Sequence, residues 1–187
     1  MRWLKKKRVL LVLLLGFIVI LFSNSSWLAL FYPIHYKEEI RAHSENYGVD
    51  PLMVAAIIKV ETNYKTGAES RKGALGLMQI MPDTAQWAAE KAKLEEVELS
   101  RVKEETGVNI QIGTWYLGWL RDQFDGNLIA TIAAYNAGPT NVKNWIRSGR
   151  WDGRLETAKD IPFGETRHYV QRVAHYYEQY SRIYTQF

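Results

Sequence analysis

The stretch Asp50–Glu61 constrains the fold more than any other part of the chain. Asp50 is a favourable N-cap residue, and Pro51 suits the first helical position, where its missing N–H group has no helical partner to lose. Only Lys59 interrupts the apolar residues that follow. A helix that is apolar on nearly every side is buried in a protein core. The sequence therefore predicts a central helix here, enclosed by the rest of the fold.

Glu61 ends this helix, and two interpretations of its carboxyl group are open. The negative end of the helix dipole and the apolar surroundings both disfavour the ionised form, so the pKa of an unpaired Glu61 is expected to be raised. A carboxyl group that stays protonated near neutral pH is suited to act as a general acid. Alternatively, Glu61 marks only the point where the helix reaches solvent.

The length and composition fit one globular domain with a short N-terminal appendage. The chain has 187 residues, of which 47% are hydrophobic, including seven Trp and eleven Tyr. These aromatic residues are expected either to fill the core or to line a groove that stacks on sugar rings or bases. The chain has no cysteine, which excludes disulfides, thiol catalysis and cysteine metal sites.

The first 32 residues predict membrane attachment. Residues 1–8 form a basic tail, and residues 9–32 are almost continuously apolar, which is long enough for a transmembrane helix. Because positive charges remain on the cytoplasmic side, residues 33–187 are expected outside the cytoplasm, on a single-pass protein of the cell membrane. The alternative is a cleaved signal peptide that ends near Ser25, although no clear cleavage motif is present.

The basic tail also accounts for the positive charge of the chain. The formal net charge is +4, and residues 1–8 contribute five positive charges, which leaves the remainder at −1. A nucleic-acid-binding domain carries its basic surface on the folded body. The sequence therefore predicts no nucleic-acid partner.

Residues 33–187 predict a mainly α domain. Helical apolar patterns flanked by capping residues recur along this part, whereas the alternating patterns of strands are scarce. Besides the central helix, helices are expected over about 36–47, 83–92, 108–124, 127–136, 141–148 and 165–184. Loops are expected over about 63–73 and 149–162, an irregular stretch with a short extended piece over 73–82, and a loop with a helical turn over 93–106.

The motifs exclude several kinds of active site. The four histidines lack the spacing of metal ligands, so no metal site is predicted. A serine-hydrolase elbow and a glycine-rich phosphate loop are also missing from the sequence. No cofactor is predicted.

Four segments fit glycosidic chemistry, which needs a protonated carboxyl group and polar groups around the scissile bond. Glu61 is the candidate acid, and Gly73–Gln79 combines glycines that permit close backbone approach with the amide of Gln79. A phenol and an amide end a short apolar helix at Tyr135 and Asn136, and Glu165 begins the last helix. Each segment also has a purely structural interpretation: a turn under the core, a helix C-cap, or an acid at a helix N-terminus.

The order of these segments resembles the catalytic domain of the lytic transglycosylases of glycoside hydrolase family 23, which have the goose-type lysozyme fold. The resemblance covers about residues 40–180. The matching motifs are ETNY at 61–64, GALGLMQIMP at 73–82, NIQIGTWYL at 109–117, AAYNAGP at 133–139 and PFGETRHYV at 162–170. The family has Ser at the position of Thr62 and Phe at that of Tyr64, and both changes preserve a hydroxyl group or an aromatic ring.

The resemblance implies a lysozyme-like helical fold and a peptidoglycan substrate. Glu61 would be the single catalytic acid and base. The substrate-binding residues would be Ser70, Met78 and Gln79 near the scissile bond, Tyr135 and Asn136 beside the acid, and Glu165 and Tyr169 further along the cleft. The glycan strand would be cut between N-acetylmuramic acid and N-acetylglucosamine without water, which gives a 1,6-anhydromuramyl end.

Other functions remain open from the sequence. A hydrolytic muramidase would use the same acid with water as the nucleophile. A catalytically silent module would only bind glycans or wall peptides, and an assembly factor would serve an envelope machine that the sequence does not identify. An intact Glu61 favours an enzyme, because a binding module gains little from an acid in apolar surroundings.

Overall fold

The computed structural model describes residues 2–23, 25–94, 97–185 and 187, and these fold mainly into α-helices. The α-helices are α1 (Arg2–Ser23), α2 (Lys37–Tyr47), α3 (Pro51–Glu61), α4 (Pro82–Lys91), α5 (Leu99–Glu104), α6 (Thr106–Gln123), α7 (Leu128–Ala137), α8 (Pro139–Arg147) and α9 (Gly164–Ile183). Two 3₁₀ helices span Ser25–Leu30 and Ala158–Asp160. The mainly α class predicted from the sequence is confirmed.

The α3 helix is the centre of the domain, as its apolar sequence predicts. The Asp50 carboxylate accepts a hydrogen bond of 2.8 Å from the backbone N–H of Leu52, which caps the helix. All residues from Met53 to Ile58 are buried. The helix packs against α2 and, over a larger surface, against α9. Its buried body fixes the position of Glu61, the last residue of the helix.

The α6 helix forms the other side of the core. It contacts α2, α4, α5 and α7, and α7 in turn packs against α8 and α9. A Cβ atom at Gly113 would lie 2.4 Å from the Sδ atom of Met78. The absence of a side chain at Gly113 therefore makes room for the buried Met78 side chain on the surface of α6.

The loop of residues 62–81 between α3 and α4 is irregular but well tied to its neighbours. Isolated β-bridges join Leu75 to Glu69 and to Ile80, which agrees with the predicted short extended piece. Asn63 and Tyr64 both have positive φ angles, +52° and +64°, a conformation that costs energy in a bulky residue. The buried Tyr64 ring and its 3.1 Å hydrogen bond to the Ala55 carbonyl hold this turn in place.

Helix boundaries differ from the predicted ones where proline begins a helix. The α4 and α8 helices start at Pro82 and Pro139, because proline is favourable in the first turn. The stretch predicted as a loop with a helical turn contains α5 and the start of α6. Glu95 and Glu96, which belong to that stretch, lie outside the described residues.

The N-terminal segment is divided in the structure. The α1 helix ends at Ser23 and a 3₁₀ helix follows, while Met1 and Asn24 lie outside the described residues. Among the residues that are described, no helix combines the length and the apolar character that a membrane crossing requires. The single span predicted over residues 9–32 is therefore not supported by the structure.

Candidate active site

A cavity of about 430 Å³ lies at the C-terminal end of α3. It is formed by α3, the loop 62–81 and the facing ends of α7 and α9. Its lining residues are Glu61, Ser70, Arg71, Lys72, Ala74, Gln79, Met81, Tyr135, Asn136 and Glu165. Six of the eight residues predicted from the motifs thus share one cavity, although they lie up to 104 positions apart in the sequence.

Glu61 has the electrostatic properties that a general acid needs. Burial raises the pKa of its carboxyl group from 4.5 to about 7, and the negative charge of Glu165 adds to this effect. The Tyr169 hydroxyl and the Arg172 guanidinium act in the opposite direction, but burial dominates. A large fraction of Glu61 is therefore protonated at neutral pH, and the group can also release its proton without a large change of pH.

Two tyrosines flank this carboxyl group: Tyr169 is buried and Tyr135 is half-buried. The Tyr135 hydroxyl donates a 2.9 Å hydrogen bond to the Met78 carbonyl. The Tyr169 hydroxyl is close enough to lower the pKa of Glu61, yet it makes no hydrogen bond of regular geometry with any described residue. Burial and the nearby Glu61 charge hold both phenol pKa values well above 10. Both residues are therefore neutral near pH 7, and Tyr169 still has a hydroxyl proton to donate.

Ser70 and Gln79 line the cavity and also shape the loop that carries them. The Ser70 Oγ atom accepts a hydrogen bond of 2.9 Å from the Ala74 backbone N–H. The Gln79 Nε2 atom donates a 2.9 Å hydrogen bond to the Gly76 carbonyl, and its own backbone has a φ angle of +50°. The substrate-binding roles implied for these two residues therefore coincide with structural ones.

Met78 is one of the two predicted residues that do not line the cavity. Its side chain is fully buried in the core against α6, and its backbone N–H donates a 2.8 Å hydrogen bond to the Asn109 Oδ1 atom. Met81 lines the cavity instead and is 44% exposed. The motif contains both methionines, and only the turn between them decides which one faces the cavity.

The first turns of α9 complete the site. The Thr166 hydroxyl donates a 2.7 Å hydrogen bond to the Asn136 Oδ1 atom, which fixes the amide plane at the end of α7. The Glu165 side chain is 73% exposed and lies 3.2 Å from the Lys72 ammonium group across the cavity. Tyr169 follows one turn later and is buried beneath the cavity lining. Glu165 therefore lacks the burial that distinguishes Glu61.

Arg71 and Lys72 are lining residues that the motifs did not identify. Both are exposed and give the rim of the cavity a positive charge opposite Glu165. In the sequence they are two basic residues in a polar loop, a pattern that is typical of any solvated surface. Within the described ranges, no group of three or more His, Asp or Glu side chains is arranged to hold a metal ion.

Comparison with known proteins identifies the family. Residues 38–157 match the family model described as the transglycosylase SLT domain. This chain belongs to that family. The match includes the cavity residues on α3, the loop 62–81 and α7, whereas the α9 residues lie beyond it.

The SLT domain of this chain has relatives in soluble and membrane-bound enzymes. It is 34% identical over 155 residues to the soluble lytic murein transglycosylase of Salmonella typhimurium, which covers 81% of this chain and 24% of the relative. It is 30% identical over 176 residues to the membrane-bound lytic murein transglycosylase C of Edwardsiella ictaluri. This match covers 79% of this chain and 47% of the relative. The chain thus spans about a quarter and about half of these relatives' lengths.

Solved structures confirm the fold that the motifs predicted. The 70 kDa soluble lytic transglycosylase of Escherichia coli superposes with a TM-score of 0.76 at 32% identity, over 83% of this chain and 26% of that one. An inactive mutant of the lytic transglycosylase Slt from Pseudomonas aeruginosa superposes with a TM-score of 0.74 at 33% identity, with the same coverage of both chains. The SLT domain described here therefore has the helical fold of lytic transglycosylases.

Proposed function

We propose that this SLT domain is a peptidoglycan lytic transglycosylase that cuts glycan strands between N-acetylmuramic acid and N-acetylglucosamine. One observation carries the proposal: a single half-buried carboxyl group with a pKa of about 7, that of Glu61, lines an open cavity. The names of the relatives, soluble and membrane-bound lytic murein transglycosylases, support the same activity.

In the proposed mechanism, Glu61 acts first as an acid and then as a base. Its proton goes to the bridging oxygen, and the C1–O bond of the muramyl unit breaks, so that this oxygen leaves with N-acetylglucosamine. The 2-acetamido oxygen of the substrate stabilises the positive charge that develops at C1. The ionised Glu61 then accepts the proton of the muramyl C6 hydroxyl, whose oxygen bonds to C1 and closes the 1,6-anhydro ring.

Among the described residues, the lack of a second suitable acid in the cavity lining favours this intramolecular route over hydrolysis. Glycosidases usually need two carboxyl groups, about 5 Å apart for retention or about 6.5–9.5 Å apart for inversion. The other acidic residue lining the cavity, Glu165, is exposed and paired with Lys72. An attached hydroxyl group also has a very large effective concentration compared with an external nucleophile. We therefore expect the C6 hydroxyl to react before water does.

Mass spectrometry of digested peptidoglycan tests the reaction. The wild-type chain should release muropeptides that are lighter by one water than muramidase products and that have no new reducing end. Glu61→Gln should lose the activity, whereas Glu165→Gln, at the exposed acid, should keep the anhydro product. Reducing muramic acid ends that incorporate oxygen-18 from the solvent would establish a muramidase instead. Binding without any cleavage by the wild type would establish a silent module.

We further propose that the N-terminal segment attaches the SLT domain to the outer face of the cell membrane. The basic residues 1–8 precede apolar side chains that lack partners in the fold, with Val9, Leu13 and Phe17 exposed by 59%, 64% and 58%. Such a contiguous exposed apolar surface is typical of membrane contact. Attachment would restrict cleavage to the wall near the membrane.

Cell fractionation tests the attachment. The full chain should sediment with membranes and remain bound to them in high salt. It should also be digested by protease added to intact protoplasts. The chain of residues 25–187, expressed with a cleavable export signal, should remain in the soluble fraction. A full chain that is soluble, or that is protected from the external protease, would contradict the proposal.

A further inference from the structure

The short segment between α1 and α2 exposes apolar side chains on one side. Trp27, Leu30 and Phe31 are exposed by 39%, 82% and 68%. Trp27 and Leu30 are three residues apart in the first 3₁₀ helix, and they lie on the same side because such a helix has three residues per turn. The Phe31 ring, directly after the helix, meets the Trp27 ring edge-on at 5.9 Å and 89°. These three side chains therefore form one surface, here called the apolar patch.

The other side of the same segment is fixed to the folded body. Leu28 and Ala29 are half-buried, and the 3₁₀ helix packs against α9. Immediately after the patch, the Tyr32 ring contacts that of Tyr176 at 6.2 Å, and the Tyr32 carbonyl accepts a 2.8 Å hydrogen bond from the Tyr184 hydroxyl. The apolar patch thus has a packed support behind it and an open surface in front.

The apolar patch continues the exposed apolar surface of α1. The α1 helix ends at Ser23 and contacts the 3₁₀ helix, and its Leu13 and Phe17 side chains are exposed by 64% and 58%. A contiguous apolar surface of this kind marks a contact with a membrane or a partner. A tryptophan beside Leu and Phe suits the bilayer interface, where the indole ring contacts lipid while its N–H group remains hydrated.

We propose that the apolar patch inserts into the outer interface of the membrane to which α1 attaches the chain, and so holds the SLT domain in one orientation. This inference rests on the proposed attachment and adds a second contact to it. Three side chains are too few to keep the domain on a membrane without α1, so the chain of residues 25–187 still remains soluble. The patch instead restricts the rotation that a single attachment point permits.

One helix connects this contact to the active site. The support of the patch includes Tyr176 of α9, and the first turns of the same helix carry Glu165 and Tyr169. Glu165 and Tyr176 are 11 residues apart, which corresponds to about 16 Å along the helix axis. With the patch in the bilayer interface, the cavity at Glu61 is held at a constant distance from the membrane. Cleavage is then restricted to glycan strands that lie at this distance.

A protein partner fits the apolar patch less well than a lipid surface. Each partner in a stable protein complex contributes about 800 Å² of surface. Large aromatic side chains bury about 150–250 Å² each, so three side chains that are already partly covered provide much less than this area. A bilayer needs no such minimum area, because α1 already places the patch at its surface.

The depth of a spin label in the bilayer tests the contact. The chain has no cysteine, so a single introduced cysteine gives a single labelling site. Full chains with Leu30→Cys or Asn144→Cys would be labelled and reconstituted into vesicles of phosphatidylethanolamine and phosphatidylglycerol. Asn144 is an exposed residue of α8 and serves as the aqueous control. The label at residue 30 should collide with a water-soluble nickel chelate about fivefold less often than the control label, and more often with oxygen, which concentrates in lipid.

Two results of this measurement would overturn the proposal. Equal collision of both labels with the nickel chelate would mean that the apolar patch faces water. A label at residue 30 that is shielded from both reagents, or that shows spin–spin coupling between two copies of the chain, would mean that the patch packs against protein.

Energy transfer to lipids tests the fixed orientation. A donor dye on Gln171→Cys, two residues after Tyr169, and acceptor dyes on lipid headgroups should give a narrow distribution of single-molecule efficiencies. The added pair Leu30→Ser and Phe31→Ser should broaden this distribution, while the chain still sediments with membranes through α1. Leu155→Ser, at a residue that is 40% exposed elsewhere on the domain, is the matched control and should leave it narrow. An equally narrow distribution for the double variant would reject the orienting role.

Fractionation distinguishes a failure of this inference from a failure of the proposed attachment. If the full chain does not sediment with membranes, the attachment itself fails. If it does sediment but the label at residue 30 remains in water, only the contact at the apolar patch is rejected. Cleavage of purified peptidoglycan is independent of both results, because that assay contains no membrane.

Discussion

Burial makes Glu61 a candidate acid, and the same burial makes its ionised form unfavourable for the stability of the fold. The carboxyl group sits at the end of a buried helix, where ionisation is unfavourable, and burial is the main cause of its raised pKa. A surface glutamate at the same sequence position would be more stable as an anion but would be a poor proton donor at neutral pH. The stability of this domain should therefore depend on the ionisation of one residue.

Replacing Glu61 by Gln should make the domain relatively more stable as pH rises. The pKa of Glu61 is 4.5 in the unfolded chain and about 7 in the fold, so the folded state binds more protons between these values. The free energy of unfolding of the wild type therefore falls from pH 4.5 to 7 through this group. In urea unfolding, the free energy of unfolding of Glu61→Gln should exceed that of the wild type by an amount that grows by about 1 to 3 kcal/mol over that range. Above pH 7 this difference should remain constant.

Glu45→Gln is the control for this prediction, because Glu45 is an exposed residue of α2 away from the cavity, and the variant should show no comparable growth between pH 4.5 and 7. A stability difference between Glu61→Gln and the wild type that stays flat across this range would mean that Glu61 is not buried in solution.

Tyr169→Phe should move the pH dependence of the reaction. The hydroxyl of Tyr169 lowers the pKa of Glu61, so its removal should raise that pKa and shift the alkaline limb of kcat/KM to higher pH, by up to about one unit. Tyr177→Phe on the same helix removes a hydroxyl that bonds to Asp50, and it should leave the limb in place. Identical pH profiles for wild type and Tyr169→Phe would show that this hydroxyl does not act on Glu61.

At the scale of elements, the loop 62–81 obtains its shape from its own Thr62 and from side chains of two helices, α6 and α7. Thr62, which follows α3, donates to the Leu77 carbonyl at 2.8 Å, and Tyr135 of α7 donates to the Met78 carbonyl. Asn109 of α6 accepts from the Met78 N–H and donates to the carbonyls of Leu75 and Val102 at 3.0 and 2.8 Å. These bonds replace the regular backbone pairing that an irregular loop lacks.

Asn109→Leu should therefore be strongly destabilising. The substitution keeps the approximate size of the side chain but leaves one buried N–H group and two buried carbonyls without these partners. We expect a loss of about 3 kcal/mol or more in the free energy of unfolding, measured in urea. Asn46→Leu, at an exposed position of α2, should change it by less than about 0.5 kcal/mol. Equal effects of the two substitutions would show that the buried network is not important.

The α9 helix contributes to the site through one face near its start. Glu165 lies at the cavity rim, Thr166 donates to the Asn136 amide oxygen, and the Tyr169 hydroxyl acts on Glu61. The Lys72–Glu165 pair connects this helix to the loop 62–81, but both side chains are exposed by more than 70%. An exposed pair of this kind contributes little to stability, so its significance lies in the charge that it places beside the substrate.

At the scale of the whole molecule, residues that precede the predicted domain start at residue 33 also contact the folded body. The Tyr184 hydroxyl of the C-terminal segment donates a 2.8 Å hydrogen bond to the Tyr32 carbonyl, and the Tyr32 ring contacts Tyr176 at 6.2 Å. The first 3₁₀ helix also packs against α9. We infer that residues 25–32 belong to the domain that α9 holds together.

Truncation should reveal this boundary. The chain of residues 25–187 is expected to unfold at nearly the same temperature as the full chain. The chain of residues 33–187 should still fold but be less stable by about 1 to 3 kcal/mol, because it loses a hydrogen bond and an aromatic contact. Thermal unfolding of both chains, followed by circular dichroism, is the measurement. Equal stability would place the boundary at residue 33 after all.

Local patterns were sufficient for the central helix, its cap at Asp50 and the position of Glu61, since burial and capping depend on residues that are neighbours in sequence. The ordered motifs also indicated the fold and most of the cavity lining. They did not show that Met81 faces the cavity while Met78 lies in the core, because a turn with Gln79 at positive φ reorients the chain between them. The Lys72–Glu165 pair and the ring contact between Trp87 and Trp119 join residues that are 93 and 32 positions apart, and only the packing of separate elements brings such residues together.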